Sequence, residues 1–257
     1  MDIENIQLDT DERLDTIAGT DFSLIQKIDG TAFTIDTLLL ANFVDFSNNV
    51  RVAADLGTGS GILAFFLKYR NSNISITGYE IQEEFYNLAV RNSEINPQFT
   101  GMAFENADIR EIPSRCLPES FDLVVSNPPY FPAGNGRLPT RQSRAFARHE
   151  LNGTLKDFVE AASYMLPING TFCVVIPTSR FYEICKYYKE CDFGISRLQF
   201  VMPKDKEKSH LVLIEAKKGY KEKHKAMPNI TIHKANGEYS DELNELFRLG
   251  LTKVTNY

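Results

Sequence analysis

Four consecutive residues, Asn127 to Tyr130 (NPPY), follow an apolar run that is typical of a buried strand. Two adjacent prolines lack N–H donors and fix two φ angles, so the carbonyl groups around them can point outward as acceptors. The side-chain oxygen of Asn127 and the carbonyl of Pro128 could accept both hydrogens of a planar amino group, and Tyr130 could stack on the base that carries it. The pattern predicts chemistry at an amino nitrogen, with a rigid proline turn as the alternative.

A glycine-rich segment, DLGTGSG (residues 55–61), ends an earlier apolar run and leads into a helical pattern. Glycines at such a turn let a ligand approach the backbone, and the helix N-terminus favours polar groups. The spacing is GxGxG, whereas dinucleotide sites that bind a pyrophosphate use GxGxxG. The turn therefore predicts a nucleoside cofactor without phosphates, with a ligand-free turn as the alternative. The residues assigned to it are Asp55, Gly57, Thr58, Gly59 and Gly61.

Two acidic residues follow the next two apolar runs. Glu80 comes about 20 residues after the glycines, where a carboxylate can accept both hydroxyls of a ribose, and a structural carboxylate is its alternative. Asp108 could accept the amino group of the cofactor's adenine, and a helix N-cap is its alternative. Ile81 and Ile109, which follow the two acids, are assigned to the same cofactor site, as is Asn127. Groups at the carboxyl ends of consecutive parallel strands are expected to share one crevice.

The chain from residue 51 onward predicts a parallel sheet covered by helices, because short β-branched runs alternate with longer stretches of helical period. Seven strands are predicted near residues 52–56, 74–80, 101–105, 121–126, 171–176, 196–202 and 211–216. Four helices are predicted at about residues 61–70, 82–96, 154–166 and 179–191. The last two strands leave no room for a crossover helix, so the last strand is expected to be antiparallel. The fold class is α/β, Rossmann-like, with a mostly parallel seven-stranded sheet and helices on both faces.

Three parts of the chain are distinguished by composition. Residues 1–50 are expected to be an acidic leader and an N-terminal segment, residues 51–218 the cofactor-binding catalytic domain, and residues 219–257 a basic linker and a C-terminal helix packed on the same domain. Within the N-terminal segment we expect an extended stretch, a turn at Gly30 and a helix that begins at Thr34 or Asp36. Its buried face is expected to comprise Leu38, Leu39, Leu40, Phe43 and Val44. Ser240 is expected to cap the last helix, whose apolar face comprises Leu243, Leu246, Phe247 and Leu249.

The net charge of −6 would ordinarily argue against a nucleic-acid partner. However, seven acidic residues and one arginine in residues 1–21 account for all of it, so the rest of the chain is neutral. Two basic stretches could bind a polyanion locally, with solvated surface side chains as the alternative. They are the arginines Arg137, Arg141, Arg144 and Arg148, and eight lysines between Lys204 and Lys225 that are interleaved with four acids.

The four cysteines form no CxxC pair and have no histidine at metal spacing, so free thiols are predicted rather than disulfides or a metal site. No apolar run approaches the roughly 18 to 20 residues of a membrane span. The N-terminus is acidic, where a signal peptide would be basic and then apolar. The chain is therefore expected to be cytoplasmic.

Together, these motifs resemble those of class I S-adenosyl-L-methionine-dependent methyltransferases that modify amino groups. More narrowly, several segments resemble the bacterial tRNA1(Val) adenine-N6-methyltransferase family: ERLD (12–15), LIQK (24–27), DGTAFTIDTLLLANF (29–43), NPPYFPAG (127–134) and ARHE (147–150). The resemblance implies a class I methyltransferase fold, S-adenosyl-L-methionine as the cofactor, and methyl transfer to the exocyclic N6 of an adenine. In that family the target is adenine 37, next to the anticodon of tRNA1(Val).

The resemblance also implies roles for particular residues. Asn127, Pro128, Pro129 and Tyr130 would be the catalytic group at the target amino nitrogen. Phe33, Thr34 and Asp36 would lie over the cofactor as part of a lid. The loop with Arg137, Arg141, Arg144 and Arg148 would bind the anticodon region of the tRNA, and the His149–Glu150 pair could orient that loop. We expect no metal and no membrane partner, and a monomer or weak dimer.

Other activities fit parts of the same pattern. Release-factor glutamine methyltransferases also use NPPY, because an amide nitrogen is equally planar and delocalised, but a longer helical recognition domain precedes the cofactor fold there than residues 1–50 could form. Methyltransferases of guanine amino groups in ribosomal RNA or of adenine in DNA stay open. A cofactor-binding module without catalysis would be expected to have lost Asn127 or Tyr130, and both are present.

Overall fold

The computed structural model of the protein describes residues 6–16, 20, 22–28, 35–46, 49–129, 153–205 and 207–248. The strands are β1 (Glu12–Thr16), β2 (Ser23–Lys27), β3 (Val52–Leu56), β4 (Ser75–Glu80), β5 (Met102–Asn106), β6 (Leu123–Ser126), β7 (Thr171–Pro177), β8 (Phe193–Lys204), β9 (Leu211–Lys218), β10 (Lys225–Ala226) and β11 (Ile230–His233). The helices are α1 (Ile35–Phe43), α2 (Ile62–Arg70), α3 (Glu83–Ile95), α4 (Ile112–Arg115), α5 (Leu155–Met165), α6 (Phe181–Glu190) and α7 (Asp241–Arg248).

The main sheet contains nine strands within the described residues, in the order β10-β8-β9-β7-β6-β3-β4-β5, with β11 also paired to β8. The pairs from β7 across to β5 are parallel, whereas β9 is antiparallel to both β7 and β8. The seven predicted strands are all present, and the antiparallel final pair is confirmed. The short strands β10 and β11 extend the edge beyond β8 and were not predicted.

Apolar side chains cover both faces of this sheet. In β7, Cys173 and Val175 belong to the apolar cluster under α1 and α2, while Phe172, Val174 and Ile176 belong to the cluster under α5 and α6. A strand buried on both faces has a continuous apolar sequence rather than an alternating one. For this reason the sequence pattern located the central strands.

The predicted helices correspond to α2, α3, α5 and α6, and α1 and α7 also lie where they were expected. The hydroxyl of Ser240 accepts the Leu243 N–H at 3.1 Å, so the predicted cap of α7 is confirmed. Leu243 is fully buried and Leu246 packs on the same cluster, while the side chain of Phe247 and residue Leu249 lie outside the described part. The short helix α4 was not predicted.

Strands β1 and β2 form a separate antiparallel hairpin that is fastened to α3. The side-chain amide of Asn92 accepts the Ile25 N–H at 2.7 Å and donates to the Ile25 carbonyl at 3.1 Å, and Asn96 does the same for Ser23. Glu12, from the acidic leader, is buried and accepts Arg91 Nη1 at 2.8 Å. One acid of the N-terminal stretch is therefore paired with Arg91 of α3.

Among the described residues, no helix is long and apolar enough to cross a membrane. The four cysteines are free thiols. The division of the chain into three parts stays a prediction, and β10 and β11 lie within the segment predicted as a basic linker.

Candidate active site

The residues predicted for the site follow the carboxyl ends of four neighbouring strands, β6, β3, β4 and β5. Asp55 of β3 is in register with Val125 of β6, and Glu80 of β4 is in register with Asn106 of β5. The glycine turn and Asn127 therefore leave the sheet side by side. The strand order reverses between β3 and β6, and open α/β sheets bind ligands at such a reversal.

The glycine turn (residues 57–61) combines one open glycine with one packed glycine. At Gly59 φ is +57°, and a Cβ would meet none of the described atoms within 4 Å, so a ligand can approach the backbone there. At Gly61 φ is +86°, and a Cβ would lie 2.9 Å from the Phe104 ring, so packing also requires glycine. Two N–H groups of the turn donate to the Tyr79 carbonyl at 2.9 and 3.1 Å, which ties the turn to β4.

Asp55 supports this turn from inside the protein. It is 1 % exposed, and the Thr58 hydroxyl donates to its carboxylate at 2.6 Å. Burial raises the pKa of Asp55 to about 7, and the Thr58 hydrogen bond opposes that rise. A polar group at this depth is held by hydrogen bonds rather than by water. A direct contact of Asp55 or Thr58 with a cofactor stays a prediction.

Glu80 links the end of β4 to the glycine turn. Its Oε2 accepts the Gly59 N–H and its Oε1 accepts the Gln82 N–H, both at 2.9 Å. Burial raises the pKa of this carboxyl. Each carboxylate oxygen has a second lone pair that can accept a ribose hydroxyl. Glu80 therefore can hold the turn and a nucleoside together, beside the half-buried Ile81.

Asp108 adopts its alternative role as an N-cap. Its carboxylate accepts the backbone N–H of Arg110 at 2.9 Å, capping the 3-10 turn Ile109–Glu111, and it also pairs with the guanidinium of the same arginine. The Arg110 hydrogen bonds lower the pKa of Asp108. Ile109 is buried in the core, so a cofactor contact would use its backbone. Recognition of an adenine by Asp108 stays a prediction.

The turn Asn127–Pro129 leaves β6 at the same edge. Asn127 is half-buried, and its side-chain Nδ2 donates to Thr37 Oγ1 of α1 at 3.1 Å. The carbonyl of Pro129 accepts Arg180 Nη1 at 3.4 Å. The amide oxygen of Asn127 lies at the opposite end of the amide from the group that contacts Thr37. The role of this oxygen as an acceptor for a target amino group stays a prediction.

Sequence reasoning missed both Thr37 and Arg180. Thr37 lies within an apolar helix and Arg180 follows β7 in an ordinary polar stretch, so neither carries a motif. The sequence analysis assigned Phe33, Thr34 and Asp36 of the FTID segment to the cofactor, and it did not include Thr37, which follows them. Asp36 is buried in the first turn of α1.

Several predicted residues lie outside the described part of the chain: Gly30, Phe33, Thr34, Tyr130, Arg137, Arg141, Arg144, Arg148, His149 and Glu150. The lysine-rich stretch is largely described. Lys204 lies at the end of β8, at the same edge of the sheet as the glycine turn, whereas Lys218 lies at the opposite edge. The Lys218 Nζ donates to the Leu166 carbonyl at the end of α5, at 2.8 Å. The stretch therefore does not form one surface.

Solved structures share the fold. An Agrobacterium tumefaciens protein described as a predicted O-methyltransferase superposes with a TM-score of 0.69 at 21% identity, covering 86% of this chain and 99% of that one. A T. thermophilus 16S rRNA N2 methyltransferase, solved with AdoMet and guanosine, has a TM-score of 0.55 at 19% identity, covering 80% and 50%. These likenesses support the Rossmann-like methyltransferase fold predicted from the sequence.

Sequence comparisons identify the family. Residues 48–231 match the family described as "Methyltransferase domain". The tRNA1(Val) (adenine(37)-N6)-methyltransferase of Aeromonas hydrophila is 29% identical over 82% of this chain and 86% of its own length, and that of Pasteurella multocida is 30% identical over 69% and 73%. Fold, site and matches together define an S-adenosylmethionine-dependent methyltransferase of class I. Within that class, the chain belongs to the tRNA1(Val) (adenine(37)-N6)-methyltransferase family.

Proposed function

We propose that this protein transfers a methyl group from S-adenosyl-L-methionine to the exocyclic N6 of adenine 37 in tRNA1(Val), in the cytoplasm where tRNA is found. The observation that carries the proposal is the placement of Asn127 and Pro128 beside the glycine turn, since β6 and β3 are adjacent and in register. This placement would bring an acceptor pair for the target amino group next to the bound nucleoside. The named relatives modify this adenine.

The cofactor fits the residues at the ends of β3, β4 and β5. The open side of Gly59 would admit it, Glu80 would accept the ribose hydroxyls, and Asp108 would accept the adenine amino group with Ile81 and Ile109 beside the ring. When bound, the cofactor supplies a methyl group activated by the positive sulfur. To bind the adenine amino group, the Asp108 carboxylate must accept it while the carboxylate still pairs with Arg110.

The target nitrogen is a poor nucleophile because its lone pair is delocalised into the adenine ring. Asn127 Oδ1 and the Pro128 carbonyl would accept its two N–H groups and favour a more tetrahedral nitrogen, which localises the lone pair. Tyr130 would stack on the base. Orientation supplies most of the effect, because a positioned nitrogen attacks without losing further entropy. The nitrogen becomes acidic only after alkylation, so no strong base and no metal are needed.

Adenine within a duplex could not reach this turn, so the substrate base must be unpaired or flipped out. Adenine 37 lies in the anticodon loop, which meets this condition. We propose that the arginines between Arg137 and Arg148, which follow the turn in sequence, bind the phosphates of that loop. A monomer or weak dimer would suffice, since the site residues named here come from one chain.

The substrate class is tested by incubating the protein with labelled S-adenosylmethionine and, separately, with total tRNA, ribosomal RNA, DNA and a release factor. We expect 6-methyladenosine from the digested tRNA and background label elsewhere. Label in a release-factor glutamine would contradict the proposal and establish the rival activity. Methylguanine in ribosomal RNA or methyladenine in DNA would also contradict the proposal, and would identify that nucleic acid as the substrate.

A further inference from the structure

The Asn127 side chain must face one way for its oxygen to serve as an acceptor. A primary amide can turn about its last side-chain bond and exchange the positions of its oxygen and its NH2 group. If the NH2 group faced the target, donor would oppose donor and the acceptor pair would be lost. The orientation of this amide therefore needs a partner outside the NPPY motif.

Thr37 is that partner. Asn127 Nδ2 donates to Thr37 Oγ1 at 3.1 Å, which places Oδ1 at the free end of the amide. Thr37 is 6 % exposed, so water competes little for this hydrogen bond. A threonine hydroxyl that gives its own proton to another group acts as an acceptor towards the amide. In that state it binds the NH2 end of the amide and rejects the oxygen end.

The helix that carries Thr37 is fixed at its other end by two arginines. Arg197 Nη2 donates to the Phe43 carbonyl at 2.6 Å, and Arg70 Nη1 donates to the Val44 carbonyl at 2.8 Å. Positive groups at a helix C-terminus also interact favourably with its dipole. These contacts tie the C-terminal end of α1 to β8 and α2.

Arg180 holds the other end of the turn. Its Nη1 donates to the Pro129 carbonyl at 3.4 Å, while its Nε and Nη2 each donate to the Glu183 carboxylate at 2.8 Å. The residue is 9 % exposed, so the guanidinium is held inside the protein. Arg180 thus engages the carbonyl that follows Pro128, the predicted second acceptor.

We propose that Thr37 and Arg180 are positioning residues that aim these two acceptors at the target amino group. Thr37 orients the Asn127 amide, and Arg180 fixes the second proline so that the first presents its carbonyl. Neither residue needs to contact the cofactor or the base. This inference rests on the proposed methyl transfer to an amino nitrogen.

The Thr37 role is tested with Thr37→Val and Thr37→Ser, which have similar size but differ in the hydroxyl. We expect Thr37→Val to lower kcat about 10- to 100-fold, since a small misplacement of a reacting group has an effect of that size. The Kd for S-adenosylmethionine and the KM for tRNA should not change, and Thr37→Ser should keep most of the activity. Wild-type kcat in a folded Thr37→Val variant, or equal loss in both variants, would overturn the proposal.

Asn42→Ala is the matched control on the same helix. Asn42 donates to the Leu38 carbonyl at 3.0 Å, so its replacement perturbs α1 without touching the turn. We expect a lower melting temperature with unchanged kcat. If Asn42→Ala lowered kcat as much as Thr37→Val, the effect would belong to helix stability and the proposal would fail.

The Arg180 role is tested with Arg180→Met and Arg180→Lys. Methionine keeps the buried stem but removes the donor, and we expect kcat to fall about tenfold with unchanged S-adenosylmethionine binding. Lysine can still donate to the Pro129 carbonyl, although it loses the two-point contact with Glu183, so it should recover part of that loss. Equal activity of the methionine variant and the wild type would remove Arg180 from the proposal.

Failure of the proposed function would look different. A wild-type protein that binds S-adenosylmethionine and methylates no amino nitrogen would contradict the function itself. A wild-type protein that methylates tRNA, with variants that are equally fast, would contradict only the positioning roles.

Discussion

The two turns at the catalytic edge of the sheet are held in different ways. The glycine turn is fastened by its near neighbours in sequence, since Asp55 binds Thr58 three residues away and Glu80 binds Gly59 twenty-one residues away. The NPP turn is held by Thr37, 90 residues away, and by Arg180, 51 residues away. The hydrogen bonds of the glycine turn therefore come from the adjoining segments β3, β4 and α3, whereas those of the NPP turn come from distant parts of the chain.

This difference predicts a separation of effects. Changes in the glycine turn should weaken cofactor binding and leave the rate of transfer at saturation nearly intact. Changes at the NPP turn should do the reverse. A set of variants that failed to separate in this way would show that the two turns act as one unit.

The largest effect is expected for Asn127→Ala. This change removes one of two acceptors for the target nitrogen, and we expect kcat to fall about 100- to 1000-fold, as for loss of one preorganised hydrogen-bonding group elsewhere. The affinity for S-adenosylmethionine, measured by calorimetry, should change little. Equal losses of kcat and of affinity would contradict the assigned role.

The next effect is expected for Glu80→Gln. A glutamine offers one oxygen where two N–H groups and the ribose hydroxyls need acceptors, so we expect the affinity for S-adenosylmethionine to fall about 10- to 100-fold. The kcat at saturating cofactor should be preserved. Glu84→Gln is the matched control, because Glu84 is exposed and pairs with Lys27 of the β1–β2 hairpin. A loss confined to kcat would reverse the predicted separation.

A smaller effect distinguishes Gly59→Ala from Gly61→Ala. Both positions have positive φ, so both alanines carry strain of about 1 to 2 kcal/mol. The Gly59 variant adds a methyl group where the ligand approaches, and we expect about tenfold weaker cofactor binding beyond its stability loss. The Gly61 variant meets Phe104 at 2.9 Å and should lose more stability instead. Thermal denaturation and calorimetry measure the two quantities, and identical behaviour would show that Gly59 is not on the ligand side.

The smallest effect on activity is expected at Asp55, where the change concerns stability as a function of pH. Burial raises its pKa from 3.8 to about 7, so between these values the folded state binds more protons than the unfolded state. The free energy of unfolding therefore falls as pH rises through this range. Asp55→Asn removes this contribution, and from pH 5 to pH 8 its stability should fall less than that of the wild type, by on the order of 2 to 3 kcal/mol. If the free energies of unfolding of the wild type and of Asp55→Asn, measured by chemical denaturation, change with pH in parallel, the pKa of Asp55 is not raised.

The sequence was sufficient to predict the central sheet, because strands such as β3, β6 and β7 are buried on both faces and have continuous apolar sequences. It did not reveal β10 and β11, which are short edge strands; the exposed pair Lys225–Ala226 has no apolar pattern. It indicated an antiparallel final pair but not that β9 would insert between β7 and β8. That order depends on contacts between distant segments.

For the site, Gly59, Glu80 and Asn127 follow or end neighbouring strands at the same edge of the sheet, while their roles in binding stay predictions. The N-cap role of Asp108 was one of two alternatives, since an acid after a strand has the same local sequence in both cases. Thr37 and Arg180 could not be found, because a buried threonine in an apolar helix and an arginine before a helix are common without any such contact. Only the packing of α1 and α6 against the turn reveals them.

The most direct measurement uses a tRNA1(Val) transcript and a second transcript in which adenine 37 is replaced by guanine, each incubated with the protein and S-adenosylmethionine. Nuclease fragments are then analysed by mass spectrometry. The account predicts one added methyl group, on N6 of nucleotide 37, in the first transcript and none in the second. Methylation at another nucleotide, or equal methylation of both transcripts, would contradict it.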